Sequence, residues 1–360
     1  MHIVAAIFGV TLMAIAMADA FQTVVVARHA RRLPVIARTF YRVTWPPFAA
    51  VARRVSPAWR RDKYLGVYGP VSLLMLIGCW VVGLIVAFAL LQWALGAQSG
   101  GVVRGFASDI HLSAATFFTL GSGGLGNSAS ESLMVVEAGF GYSFLGLVIG
   151  YLPVLYQSFS GRELHILMLD ARAGSPPSAT QFVLRRGDNP AKLEKRLAEW
   201  EEWALDLLQG HLSYPMLAFY RSQHANQSWL AALTMVIDVS ALAMLGADGD
   251  LKRQAELTFA AGRHALVHTA SIFDASSPAG TEDRLPDASF FSLIAAISAS
   301  PTPLQPEQIV ATELARLRAM YEPHAKALAA YFLMELPPWL VQEPLPTANW
   351  QIMSWQSWLD

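Results

Sequence analysis

Three long apolar runs organise the first 160 residues. Ile3 to Ala27 is interrupted by Asp19 and Gln22; Val67 to Leu95 has LLMLIGCWVVGLIVAFALLQWAL at its heart; the third extends from about Glu131 to Phe159. A helix rises ~1.5 Å per residue, so runs of this length span a ~30 Å hydrocarbon core. Between the second and third runs the pattern changes. Ser108 suits a helix N-cap, Asp109 suits its first turn, and the chain to about Phe118 is apolar and helix-compatible. Glycines then follow at 121, 123, 124 and 126, in a stretch too short to cross a bilayer.

From Gly161 onward the apolar positions recur at helical spacing. A helix starting near Pro190, after the turn Gly187-Asp188-Asn189, places Leu193, Leu197, Trp200, Ala204 and Leu207 on one face. Further helices are predicted over Ala225–Leu245 (ending at Gly246), Asp250–Phe273, Asp287–Ser298 and Pro306–Glu335. No segment alternates with period two for long, so little or no sheet is expected. The tail, with Trp339, Trp350, Trp355 and Trp358, is apolar enough to pack on this domain or on a neighbour.

Composition and charge turn this pattern into a topology. With 54% hydrophobic and 15% charged residues, the chain is more apolar than an ordinary soluble protein. Residues 1–160 carry 11 Lys and Arg against 5 Asp and Glu, and residues 161–360 carry 15 against 22. Ten of those bases lie in residues 28–66, beside one acid, Asp62; residues 97–130 contain one strong base, Arg104. The positive-inside rule places residues 28–66 in the cytoplasm and the 97–130 stretch outside. Pro34, Pro46, Pro47 and Pro57 predict short amphipathic pieces there, and a loop between two membrane helices argues against nucleic-acid binding. Ala18-Asp19-Ala20 looks like a signal-peptidase site, but no base precedes the first run and apolar residues resume at Thr23. A retained membrane helix is therefore expected. The boundaries are a first transmembrane helix over 1–27, a basic linker over 28–66, a pore domain over 67–160 and a helical cytoplasmic domain over 161–360. The single cysteine, Cys79, excludes an intrachain disulfide.

A half-helix followed by a Gly-rich extended strand is tolerated at membrane depth where it lines a water-filled path. Its carbonyls can replace a cation's hydration shell, and the C-terminal end of the half-helix favours positive charge. Thr119, Leu120, Gly121, Ser122 and Gly123 are the candidate filter. Over residues 67–160, the order of apolar helix, short helix, T-x-G-x-G strand and Gly-rich apolar helix resembles the two-transmembrane potassium-channel pore family. Thr119, Gly121 and Gly123 fit its filter. Ser122 stands where the family has an aromatic or bulky residue, and Gly124 where it has an acid, which predicts a looser strand and a modest potassium preference. The resemblance implies that the third long helix lines the pore and gates, with Gly146, Gly150 and Pro153 as the candidate hinge. One pore loop per chain, without an internal repeat, predicts a homotetramer. Glu137 and Asp19 are carboxylates inside apolar runs and so are expected to face protein or water, at depths too different for them to pair.

The remaining sequence offers little chemistry. His264 and His268 share a helix face without the glutamate of a zinc protease, and His211 and His224 lack partners at ligand spacing. There is no P-loop, no G-x-S-x-G and no G-x-G-x-x-G after a strand. The segments His211–Pro215 and Arg221–His224 are rich in polar and aromatic groups, which suits a ligand or subunit-contact site and equally a helix junction. The expectation is an all-α membrane protein, not an enzyme and without cofactors. It would be a tetrameric cation channel subunit in the cell membrane, conducting potassium or other monovalent cations among membrane lipids. The alternatives are a non-selective cation pore and a non-conducting membrane-anchored sensor or scaffold.

Overall fold

The computed structural model describes residues 2–24, 34–96, 98–99, 102–103, 105–120, 128–185, 189–224, 226–277 and 282–341. Twelve α-helices make up most of these: α1 His2–Val24, α2 Val35–Ala52, α3 Ala58–Ala94, α4 Phe106–Phe117, α5 Ser128–Ala173, α6 Ala179–Leu184, α7 Pro190–Ser213, α8 Trp229–Gly246, α9 Gly249–Ile272, α10 Asp287–Ser298, α11 Ala311–Ala319 and α12 Glu322–Phe332. Among the described residues the only strands are the two-residue pair β1 Gln98–Ser99 and β2 Val102–Val103, antiparallel to each other. Four helices are long and apolar enough to cross a membrane: α1, α3, α5 and α8. The protein is an all-α chain compatible with a membrane.

The chain forms two compact units, one of residues 1–28, 33–48 and 67–157, the other of residues 29–32, 49–66 and 158–360. In the first unit α1 lies close against α3. A Cβ on Gly9 would come within 2.9 Å of the Ala87 carbonyl oxygen, so the approach requires glycine. Asp19 is buried near the end of α1, where its carboxylate accepts from Ile36 N (2.7 Å), Ala37 N (3.2 Å) and Trp80 Nε1 (3.0 Å). It thus satisfies two of the donors that a helix start leaves open, here those of α2.

In the second unit α8 is the central element. It meets the same length and hydropathy criterion as the other three, but it is buried on nearly every face within its own unit. A Cβ on Gly262 of α9 would meet Ile237 Cγ1 of α8 at 2.7 Å, so these two helices touch through a glycine. Asp238 of α8 is fully buried and carries a network. Arg284 donates to both of its oxygens (3.2 and 2.6 Å), to Glu322 Oε1 (3.1 Å) and to the Pro337 carbonyl (2.7 Å). Arg318 binds Glu322 (3.0 Å), the Leu285 carbonyl (3.2 Å) and Asp283, and Tyr321 donates to Asp238. Each buried charge has an opposite partner, the condition under which such groups are tolerated.

Several boundaries differ from the sequence expectation, each for a visible reason. The basic linker holds the 18-residue helix α2, with Pro46 and Pro47 inside it, and the start of α3, which begins at Ala58 rather than near Val67, instead of several short pieces. Pro34 and Pro57 sit at helix starts, where a missing N–H costs nothing: Arg38 N bonds the Pro34 carbonyl (2.8 Å) and Arg60 N the Pro57 carbonyl (3.0 Å). α5 continues past Phe159 to Ala173 because nothing breaks it until Gly174, whose φ of +83° provides the left-handed terminus. The expected helix over Pro306–Glu335 is two helices, α11 and α12, because Pro323 belongs in the first turn of a helix and not in its interior.

Candidate pore segment

α4 is the short helix between two of membrane length, and its sequence dictates how it is held. Asp109, buried in the first turn, complements the positive end of the helix dipole. One turn on, the Ser113 hydroxyl donates to the Ile85 carbonyl of α3 (2.9 Å) and is hydrogen-bonded to Glu137 Oε1 of α5. Ser113 and Glu137 are both fully buried, so a polar tie joins α4 to both flanking helices in an otherwise apolar setting. Ser130 and Gln92 make a second tie between α5 and α3: Ser130 Oγ donates to Gln92 Oε1 and Gln92 Nε2 to the Ser130 carbonyl (3.3 Å). Aromatic contacts complete the packing, with Trp93 on Phe106 (ring centroids 5.8 Å apart) and Phe117 on Phe144 (6.3 Å).

The end of α4 is defined by backbone hydrogen bonds. Phe118 N bonds the Ala114 carbonyl (3.1 Å) and Leu120 N reaches back to the Ala115 carbonyl (2.8 Å). Thr119 lies between them with φ +56°. This is the left-handed helix terminus in which glycine is usual, here occupied by threonine at a cost on the order of 1 kcal/mol. The helix therefore stops at the first residue of the candidate filter. Leu120 is exposed, and Gly121, Ser122 and Gly123 lie outside the described residues. Gly141 of α5 faces the same terminus. A Cβ there would collide with the Phe117 carbonyl oxygen, so glycine sets how closely α5 approaches α4.

The other expected site residues fall on α5 and α1. Gly146, Gly150 and Pro153 all lie within the continuous helix α5, and a Cβ on either glycine would meet open space. Pro153 has no N–H to return to the Ile149 carbonyl, the local weakness a hinge requires. On α5, Glu137, Gly141, Phe144, Tyr151 and Leu155 are buried, while Val135, Tyr142, Leu145 and Ile149 are exposed on the other side. Glu137 and Asp19 are not partners: the first is tied to Ser113 and the second caps α2. His264 and His268 meet edge-on with ring centroids 4.2 Å apart, and no group of three or more metal-ligating side chains occurs among the described residues.

Sequence reasoning did not single out Ser113 or Gly141. The one is a serine in an apolar helix and the other is one glycine among several, and only the packing distinguishes them. No protein-family model, curated protein or solved structure matches this chain.

Proposed function

We propose that this chain is one subunit of a homotetrameric cation channel in the cell membrane, in which Thr119–Gly123 of four copies surround a single ion path. The observation that carries the proposal is α4 itself: a short helix ending just before Thr119, wedged between α3 and α5 and tied to both by Ser113 and Glu137. A half-helix whose C-terminal end meets a T-x-G-x-G segment suits a cation through its dipole and through the carbonyls that follow. α5 exposes large apolar residues, with Val135 75%, Tyr142 74% and Ile149 62% accessible in the single chain, a surface suited to lipid or to neighbouring subunits. The basic linker faces the cytoplasm by the positive-inside rule, and residues 161–360 lie there as a regulatory or assembly domain. Potassium passes with a modest preference over sodium, because Ser122 offers no bulk to brace the strand.

One pore loop per chain cannot cage an ion alone, so stoichiometry is the first test. Light scattering of the detergent-solubilised protein, corrected for bound detergent, gives a protein mass of four chains if the proposal holds. A monomer or dimer rejects it.

A further inference from the structure

α9 carries two histidines that the channel reading does not use. Leu251, Ala255, Phe259 and Leu266 of this helix are buried within the second unit. Thr258 donates to the Leu197 carbonyl of α7 (3.0 Å), and Gly262 admits Ile237 of α8, so the orientation of α9 is fixed. His264 and His268 consequently face outward. Both are exposed, and their i,i+4 spacing places them one turn apart on the same face. Their rings meet edge-on with centroids 4.2 Å apart. Among the described residues no other group takes up either imidazole, so each neutral ring keeps a nitrogen lone pair to offer.

Two neutral imidazoles this close can hold one metal ion between them. A histidine nitrogen binds such an ion at about 2.0–2.1 Å, and exposed rings are free to turn toward a common centre. Once the first ring has bound, the second is already beside the ion, at a high effective concentration. Partial burial and the neighbouring His264 hold the His268 imidazole below its ordinary 6.5, which leaves it in the metal-binding form at pH 7.5. His268 lies one turn before Ile272, the end of α9, where the helix dipole favours positive charge. The adjacent base, Arg263, is engaged elsewhere, donating to the Met320 carbonyl (3.1 Å). The donor set also selects the metal. Imidazole nitrogen suits copper, nickel and zinc, whereas calcium and magnesium require oxygen ligands. With two protein ligands the remaining positions go to water, so the ion exchanges freely.

We propose that His264 and His268 together chelate one exchangeable divalent late transition-metal ion, copper(II) more tightly than nickel(II), on the exposed face of α9. The site lies wholly within the second unit and stands whether or not the chain conducts ions. Because α9 packs on both α7 and α8, an ion bridging one of its turns stabilises that unit by binding the folded form.

Nickel(II) is titrated calorimetrically into tag-free full-length protein in detergent at pH 7.5. A saturable binding step is expected, and His264→Ala and His268→Ala should each weaken it roughly tenfold or more, since either leaves a single imidazole. Ser271→His combined with His268→Ala keeps the number of histidines but sets the pair seven residues, ~10 Å of helical rise, apart. That protein should bind no better than His268→Ala. All three positions are exposed, so the fold carries through the substitutions. Copper(II) should displace the nickel, and magnesium should not bind. The proposal is overturned by the absence of a saturable step, by a titration unchanged in either single variant, by full binding to the relocated pair, or by equal binding of magnesium.

Discussion

His211 makes the stability of the second unit depend on pH in a direction that can be worked out. Its complete burial, with the Arg162 charge beside it, pushes the imidazole from its ordinary 6.5 down to about 3. The folded chain therefore refuses a proton that the unfolded chain accepts below pH 6.5. Above pH 6.5 the histidine is neutral in both states and contributes no slope. As the pH falls, the unfolded state gains ~1.4 kcal/mol per pH unit, so His211 alone costs about 2 kcal/mol between pH 6.5 and pH 5. The loss levels off as the pH approaches 3. His211→Phe removes this proton uptake, keeps a ring against Trp229 and eliminates two buried nitrogens that lack a hydrogen-bond partner, so it should be neutral or stabilising at pH 7.5. Urea unfolding of the full-length protein in detergent, followed by tryptophan fluorescence, provides the comparison. The wild-type midpoint should fall relative to the variant's between pH 6.5 and 5, by an amount equivalent to about 2 kcal/mol. Parallel pH profiles for the two proteins would refute the assignment of His211 as a buried neutral imidazole.

Three further outcomes follow from the packing. Gly141→Ala drives a methyl group into the Phe117 carbonyl, so the protein should lose heat stability, and the proposed channel its current, whereas Gly146→Ala, with open space around it, should leave folding intact by thermal aggregation assay. Ser113→Ala leaves the buried Glu137 carboxyl without its partner at a cost of roughly 1–3 kcal/mol, and the additional change Glu137→Leu should restore much of it in the same assay. Arg284→Met strips Asp238 of its counter-charge inside the second unit, and the cost of roughly 3–5 kcal/mol should appear as rapid proteolysis of residues beyond 160.

The parts legible in the sequence were those set by local rules. Asn189 and Pro190 announce a helix start, and in the structure the Asn189 side chain accepts from Lys192 N at 3.2 Å. Asp287 and Ser298 bound α10 as the apolar spacing indicates, and Gly246 ends α8. Non-local pairings were not legible. Arg284 meets Asp238 and Glu322 at separations of 46 and 38 residues, and no spacing in the chain connects them. The sequence marked Asp19 as a costly carboxylate, but its role depends on α2 presenting the N–H of Ile36, 17 residues later, to it. At the pore segment, the T-L-G-S-G-G run and the short helix before it were readable from residue types. The Ser113–Glu137 tie was not, because it needs α4 and α5 already packed.

The central claim is that Thr119–Gly123 forms a cation path, and a reversal potential addresses it most directly. Purified protein is fused into a planar bilayer with potassium on one side and sodium on the other. The account predicts unitary cation currents that reverse on the potassium side of zero, short of the potassium equilibrium potential. Ser122→Tyr with Gly124→Asp should move the reversal closer to that potential. An absence of current, or a reversal following the anion gradient, would contradict the account; a wild-type reversal at the potassium equilibrium potential would contradict the loose filter inferred from Ser122.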